Sequence, residues 1–190
     1  KAGDRIAVMG PSGSGKSTLM ALMAQLDAPS SGSIIWPGFP TGEAVRPKNI
    51  GLSFQTPSLI PALTAVETVE VPLLILGDRM DVREKAIKAL EYFELDHLAD
   101  RLPEELSGGQ AQRVAMARAL VTSPLLILAD EPTGQLDQVT GQSVIAKLIE
   151  KSEQTGAALL IATHDHAVAK KMNTIWRMNH GTLEIGTKMK

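Results

Sequence analysis

Cysteine is absent from the 190-residue sequence, which excludes disulfide scaffolds, thiolate metal sites and cysteine nucleophiles. Aromatic residues make up only 3% of the chain, and 19 basic against 21 acidic residues leave a formal net charge of −2. A near-neutral chain lacks the electrostatic signature of a nucleic-acid or anionic-lipid binder, so we expect no nucleic-acid partner. No apolar run approaches the roughly 18 residues of a membrane span, and no signal peptide opens the sequence. We therefore expect a cytoplasmic globular protein.

Apolar runs alternate with segments of helical periodicity, which predicts an α/β fold with a mainly parallel sheet. Buried strands are predicted at residues 5–9, 50–54, 125–129 and 157–163, and a hairpin at residues 174–185. Helices are predicted at residues 17–26 and 110–123, with an amphipathic helix around residues 144–149.

The middle of the chain has helical periodicity without intervening strands. Asp81 and Glu84 have the spacing of a capping box, which predicts a helix start there. We predict a helical lobe at about residues 56–109, inserted into a core made by residues 1–55 and 110–190. The whole chain is then a single domain.

A glycine, four residues and Gly-Lys-Ser directly follow the first predicted strand and precede a helix, as in a P-loop. The glycines let successive backbone N–H groups converge on one anion, and the helix presents its positive end to the same phosphate. Lys16 adds a mobile charge for the β- and γ-phosphates, and the Ser17 hydroxyl is a ligand for Mg²⁺. The predicted nucleotide site comprises Gly10, Pro11, Ser12, Gly13, Ser14, Gly15, Lys16, Ser17 and Thr18.

Two acidic residues end the predicted strand at 125–129. Asp130, at the tip of a strand beside the P-loop, is suited to hold Mg²⁺ and its water shell. Side chains alternate along a strand, but a turn at Pro132 would let Glu131 face the γ-phosphate and activate a water molecule. Together with the P-loop, this pair predicts an NTPase site.

A third motif, Leu-Ser-Gly-Gly-Gln at residues 106–110, precedes a helix. Ser107 and Gln110 form a capping-box pattern, which explains the motif locally. Gly108 and Gly109, however, each cost up to about 1 kcal/mol of helix stability relative to alanine. Bare N–H groups at a helix start suit the close approach of an anion, which suggests a second phosphate cradle and a nucleotide held between two molecules.

This motif resembles the signature of the ATP-binding subunits of ABC transporters, and further residues in chain order support the resemblance. Gln55 matches the Q-loop glutamine, Asp137 lies in a D-loop-like segment, and His164 matches the switch histidine that contacts the γ-phosphate. The resemblance implies nucleotide contacts at Gln55, Ser107, Gly108, Gly109, Gln110 and Asp137, Mg²⁺ ligands at Ser17, Gln55 and Asp130, and catalytic roles for Lys16, Glu131 and His164.

The resemblance also implies ATP and Mg²⁺ as cofactors and a head-to-tail pair of subunits. Each ATP would lie between Lys16 and Ser17 of one copy and Ser107 and Gly109 of the other, and ATP-dependent closure would drive an integral-membrane permease. The subunit would then sit peripherally on the cytoplasmic face of the membrane.

A narrower likeness, carried by residues 59–67 and 131–137, is to the branch of lipoprotein-releasing, macrolide-exporting, antimicrobial-peptide and cell-division ATPases. Apolar residues 59–63 are a candidate permease-docking surface, although packing inside the helical lobe explains them equally well.

The family places an adenine-stacking aromatic residue upstream of the P-loop, whereas only nine residues, none aromatic, precede Gly10. We therefore expect a truncated antiparallel β-subdomain.

Two other functions stay open on the sequence alone. A soluble ABC protein of DNA repair or translation usually carries coiled-coil insertions or two fused ATPase units, which exceed 190 residues. A regulatory module whose ATP switches a partner contact would use the same motifs as a transporter subunit.

Overall fold

The computed structural model of the protein describes residues 1–39 and 46–186. Its strands are β1 (Arg5–Met9), β2 (Ile50–Ser53), β3 (Leu126–Asp130), β4 (Ala158–Thr163), β5 (Thr174–Asn179) and β6 (Thr182–Glu184). Its helices are α1 (Lys16–Met23), α2 (Ala65–Ile75), α3 (Val82–Tyr92), α4 (Gly108–Leu120), α5 (Gln138–Thr155) and α6 (His166–Ala169), with short 3₁₀ turns at Asp96–Leu98 and Pro103–Glu105.

The strands form one six-stranded sheet in the order β2-β3-β4-β1-β5-β6. All pairs are parallel except β5–β6, where Asn179 pairs with Thr182 in the predicted hairpin. Met9 pairs with Thr163, and Ser53 pairs with Ala129, so β1 to β4 end at the same edge. The loops after these strands therefore meet there, where open α/β sheets bind ligands.

Alternating side chains of the sheet enter two separate cores. Ala7 and Leu159 face the core formed with α2 to α5, whereas Val8 and Leu160 face the opposite core, formed with Met20 of α1. This double coverage explains why the strands read as continuous apolar runs. The predicted mainly parallel α/β fold is confirmed.

The helical middle of the chain contains α2 and α3, and α4 packs against both of them and against β2. The prediction of a capping box at Asp81 and Glu84 is wrong: Asp81 has φ +55° and its side chain makes no capping hydrogen bond. A capping residue normally has an extended backbone, whereas Asp81 is left-handed, and Glu84 pairs instead with Lys88 at 2.6 Å.

Several helix boundaries also differ from the sequence prediction. Helix α1 spans Lys16–Met23 rather than residues 17–26, and α4 spans Gly108–Leu120 rather than residues 110–123. Residues 33–39 contain no strand, and residues 40–45 lie outside the described part of the chain. Among residues 1–39 and 46–186, no helix combines the length and hydropathy needed to cross a bilayer.

Candidate functional site

The P-loop lies between β1 and α1 and depends on its glycines. A Cβ on Gly10 would lie 2.2 Å from the carbonyl oxygen of Met178 in β5, a distance that backbone atoms do not tolerate. Gly13 and Gly15 have φ values of +74° and +106°, which side-chain-bearing residues rarely adopt. The sharp turn that the motif predicted is therefore present, and it brings the loop directly against the neighbouring strand.

A cavity of about 550 Å³ opens where the loops after β1 to β4 meet. Its walls bring together residues that lie far apart in the sequence: the P-loop, the glutamine after β2, the two acids at the end of β3 and the histidine after β4. The lining residues are Ser12, Gly13, Gly15, Lys16, Ser17, Thr18, Gln55, Asp130, Glu131 and His164.

Lys16 is nearly buried, and its Nζ donates hydrogen bonds to the carbonyl oxygens of Gly10 at 2.8 Å and Pro11 at 3.1 Å. These carbonyls hold the cation without neutralising it. An anionic phosphate in the cavity is a stronger acceptor for an ammonium group than a neutral carbonyl is. The arrangement therefore keeps a positive charge ready for a polyanionic ligand.

Asp130 is a buried carboxylate in the lining of the cavity. Burial raises the pKa of this carboxyl above its usual range, while a hydrogen bond from the Ser17 hydroxyl acts in the opposite direction. Its Oδ1 is buried without a hydrogen-bond partner. An unpartnered buried carboxylate oxygen beside a hydroxyl matches the hard oxygen ligands of Mg²⁺.

The described residues contain no group of three or more His, Cys, Asp or Glu side chains able to hold a metal alone. Mg²⁺ does not need one, because it is commonly bound by one or two protein oxygens together with waters and substrate phosphates. Ser17, Gln55 and Asp130 all line the same cavity, so they fit a Mg²⁺ site completed by waters and substrate phosphates.

Glu131 is turned into the cavity by a strained backbone. Its φ is +46°, and its N–H still donates to the carbonyl of Ala162 at 2.9 Å, so the chain turns without losing the sheet hydrogen bond. Its Oε1 lies 2.9 Å from Nδ1 of His164. The expected turn at Pro132 is present, closed by a hydrogen bond from the Gly134 N–H to the Glu131 carbonyl oxygen at 3.0 Å, and the left-handed backbone at Glu131 pairs its carboxylate with the imidazole.

The signature segment lies elsewhere in the chain. Ser107 and Gln110 form the predicted capping box, with the Gln110 N–H donating to Ser107 Oγ at 3.2 Å and the Ser107 N–H donating to Gln110 Oε1 at 2.8 Å. A Cβ on Gly108 would lie 2.6 Å from Gln135 Oε1, and one on Gly109 would lie 2.9 Å from Leu136 Cδ2. The segment therefore packs against residues 135–136, outside the cavity lining.

Asp137 also lies outside the cavity lining and caps α5. Its carboxylate accepts hydrogen bonds from the N–H groups of Val139 at 3.0 Å and Thr140 at 3.1 Å, and its contacts with Thr140 lower its pKa. Within one chain, residues 107–110 and Asp137 therefore do not line the P-loop cavity. A site shared between two copies requires this separation of the signature segment from the P-loop of its own chain.

Sequence reasoning missed two residues of α4. Gln112 donates to the carbonyl oxygen of Phe54, and Arg118 donates to those of Pro57 and Ser58, so both hold the loop that carries Gln55. The sequence signal for Gln112 is a glutamine on an otherwise apolar face of a helix, which indicates a buried polar contact.

These features define the class of the protein: a P-loop nucleotide-binding protein with an α/β core. The chain belongs to the ABC transporter family, whose model, described as "ABC transporter", matches residues 1–134.

Known relatives and solved structures agree with this family. The chain is 41% identical over 191 residues to the lipoprotein-releasing system ATP-binding protein LolD of Shewanella frigidimarina, covering 96% of this chain and 80% of that protein. It is 43% identical over 189 residues to LolD of Legionella pneumophila, covering 95% and 83%. A dimeric ATP-binding cassette in a post-hydrolysis state, bound to ADP and Pi, superposes with a TM-score of 0.91 at 37% identity, covering 100% of this chain and 87% of that one. At the level of the family, ATP binding, ATP hydrolysis and dimer formation are confirmed.

Proposed function

We propose that the protein is the ATP-hydrolysing subunit of a membrane transporter of the lipoprotein-releasing type. The observation that carries the proposal is the cavity in which Lys16, Ser17, Asp130, Glu131 and His164 converge. The relatives named LolD, at 41% and 43% identity, favour this reading over a repair or translation protein and over a purely regulatory module.

Each side chain has a distinct role in hydrolysis. Lys16 leaves its two carbonyl partners to hold the β- and γ-phosphates. Ser17, Gln55 and Asp130 would hold Mg²⁺, which would supply positive charge to stabilise the phosphoryl group during transfer. Glu131 accepts the proton of the attacking water, since its carboxylate lines the cavity.

His164 orients this base. An ionised carboxylate only accepts hydrogen bonds, so the 2.9 Å contact requires the histidine proton on Nδ1. The neutral ring then offers Nε2 as an acceptor, and the protonated ring offers it as a donor to a γ-phosphate oxygen. The exposed position of His164 allows it to meet the nucleotide at the mouth of the cavity.

The remaining nucleotide contacts come from a second copy. Ser107, Gly108, Gly109 and Gln110 of that copy close over the ATP held by the P-loop, with Asp137 at the same interface. The position of these residues outside the cavity lining supports this arrangement, as does the dimeric state of the superposed cassette. The dimer closes when ATP binds and opens after hydrolysis, and this change provides the movement that drives transport.

The movement is passed to an integral-membrane permease, so the subunit lies peripherally on the cytoplasmic face of the membrane. A groove of about 340 Å³ beside the lobe we assign to residues 56–109 suits this contact; Leu52, Phe54, Ile60 and Pro72 are among its lining residues. Ile60 is 46% exposed, whereas Leu59 packs against the core. In the segment at residues 59–63, Leu59 therefore serves internal packing, and the exposed Ile60 is the candidate for permease docking.

Light scattering on the Glu131→Gln variant tests the shared site. With ATP and Mg²⁺ it is expected to form a dimer, and adding Ser107→Arg is expected to abolish that dimer. A dimer that persists in the double variant would contradict the shared site.

Affinity purification from detergent-solubilised native membranes tests the transporter assignment. We expect a multi-span protein to co-purify with the subunit. Recovery of soluble partners alone would be compatible with an ATPase but would contradict its assignment to a permease-coupled transporter.

A further inference from the structure

Helix α4 holds the loop that carries Gln55 on both sides of that residue. On the amino-terminal side, Gln112 Nε2 donates to the carbonyl oxygen of Phe54 at 3.1 Å. On the carboxyl-terminal side, Arg118 donates to the carbonyl oxygens of Ser58 at 3.0 Å and Pro57 at 3.2 Å. The three carbonyls bracket Gln55, which itself lines the nucleotide cavity.

Both side chains are placed where stability alone does not favour a polar group. Gln112 is fully buried, and its Oε1 has no hydrogen-bond partner. An apolar side chain of similar volume would avoid the cost of an unpaired amide oxygen. Burial lowers the pKa of Arg118, which reflects the cost of removing its charge from water. The polar side chains of Gln112 and Arg118 are best explained by their hydrogen bonds to the loop that carries Gln55.

The same helix is tightly attached to the strand that precedes the loop. A Cβ on Gly51 in β2 would lie 2.0 Å from the carbonyl oxygen of Ala119, so the two backbones approach as closely as only glycine permits. The first turn of α4 carries Gly108 and Gly109, and Ser107 is its N-cap. A rigid helix therefore connects the signature segment to the loop that carries Gln55.

We propose that Gln112 and Arg118 are positioning residues that set Gln55 in the nucleotide cavity and make its position depend on the orientation of α4. This inference deepens the proposed function, because it rests on Gln55 being a ligand of the Mg²⁺ bound with ATP. Contact of a second copy's nucleotide with the first turn of α4 is thereby transmitted to the metal site of the same chain.

The test uses two readouts in Gln112→Met and Arg118→Gln: the Mg²⁺ dependence of ATP hydrolysis, and the Mg²⁺ concentration that half-maximally shifts the melting temperature of the ATP-bound protein without turnover. Methionine keeps the volume of glutamine and removes the donor. We expect the Mg²⁺ concentration at half-maximal activity to rise about five- to tenfold in each variant, as the loss of a buried hydrogen bond implies. KM for ATP at saturating Mg²⁺ is expected to change less than twofold, because the P-loop is untouched.

A double-mutant cycle with Gln55→Ala separates positioning from general destabilisation. If the two residues act through Gln55, they cause no further shift in Mg²⁺ dependence once Gln55 is alanine. Additive shifts, or unchanged Mg²⁺ dependence in both single variants, would overturn the inference. Should Gln112→Met fail to fold, the cycle with Arg118→Gln decides the question.

Arg113→Gln is the matched control. Arg113 lies on the same helix and donates to the carbonyl oxygen of Phe93 at 3.0 Å, remote from the Gln55 loop. We expect this variant to keep the wild-type Mg²⁺ dependence, and a shift equal to that of Arg118→Gln would contradict the inference. Absence of Mg²⁺-dependent ATP hydrolysis in the wild-type protein would instead contradict the proposed function, so the two failures are distinguishable.

Discussion

Nδ1 of His164 lies 2.9 Å from Oε1 of Glu131, across the ends of the adjacent strands β4 and β3. Parallel pairing alone brings the two strand ends together, but the left-handed backbone at Glu131 is needed to aim the carboxylate at the imidazole. The histidine side chain is 77% exposed and the glutamate 10%, so the carboxylate is shielded while the imidazole stays accessible to a ligand. This asymmetry suits the proposed role of Glu131 as the proton acceptor.

Glu131→Gln is expected to lower kcat for ATP hydrolysis by about 10²–10⁴-fold, since the amide cannot accept a proton. Binding of ATP should change little, because the substituted group is nearly isosteric and uncharged. Single-turnover hydrolysis and equilibrium binding measure the two effects separately. A variant with more than a tenth of wild-type kcat would exclude Glu131 as the base.

Gly10→Ala is expected to prevent ATP binding and to destabilise the fold. Its new methyl group would lie 2.2 Å from the Met178 carbonyl oxygen, so either the P-loop or β5 must move. The matched control is Gly38→Ala, where a Cβ meets no heavy atom within 4 Å. Thermal denaturation and nucleotide titration are expected to separate the two alanine variants clearly, and equal behaviour would refute the steric argument.

Asp130→Asn is expected to raise the melting temperature of the protein without Mg²⁺ at pH 8, while abolishing stabilisation by added Mg²⁺. The folded-state pKa of Asp130 is raised by burial, so the ionised carboxylate costs stability at any pH above its ordinary, unfolded pKa. The neutral amide removes that cost. A melting temperature that falls in metal-free buffer would show that burial does not penalise this charge.

Glu67 links stability to acid pH through the cap of α2. Its carboxylate accepts hydrogen bonds from the Thr64 N–H and hydroxyl, both at 2.8 Å, and these contacts lower its pKa. A lowered folded-state pKa contributes stability above the unfolded value of about 4.3, and the contribution is lost as pH falls through the folded value. Glu67→Gln is expected to be less stable than wild type at pH 7 and to converge with it below pH 4. Urea unfolding at both pH values measures the difference, which should not converge if the cap acts through shape alone.

The sequence predicted the parts of the site that depend on local order. The P-loop, the strand that ends in Asp130 and the capping box at Ser107 each need only a few neighbouring residues, and all three are present. The capping box at Asp81 failed because a cap also requires an extended φ at the capping residue, which spacing does not reveal. The roles of the site residues and the division into core and lobe stay predictions.

Long-range contacts account for what sequence reasoning missed. Gln112 and Phe54 are 58 residues apart, and nothing in the local pattern of either segment pairs them. The close approach of Gly51 to Ala119 is likewise invisible until β2 and α4 are placed together. Such pairings arise from the packing of whole elements rather than from the propensity of any one segment.

The signature segment lies outside the P-loop cavity of its own chain, and this has a consequence for mixtures of copies. If the proposed shared site is correct, each nucleotide needs one P-loop and one signature segment from different molecules, so activity depends on pairs of copies rather than on single chains. In a pool doped with a copy defective in the signature segment, the intact sites fall in proportion to the intact fraction, whereas dimers with both sites intact fall as its square. In a mixed dimer the defective copy therefore inactivates the P-loop of the unaltered partner, while its own P-loop stays active.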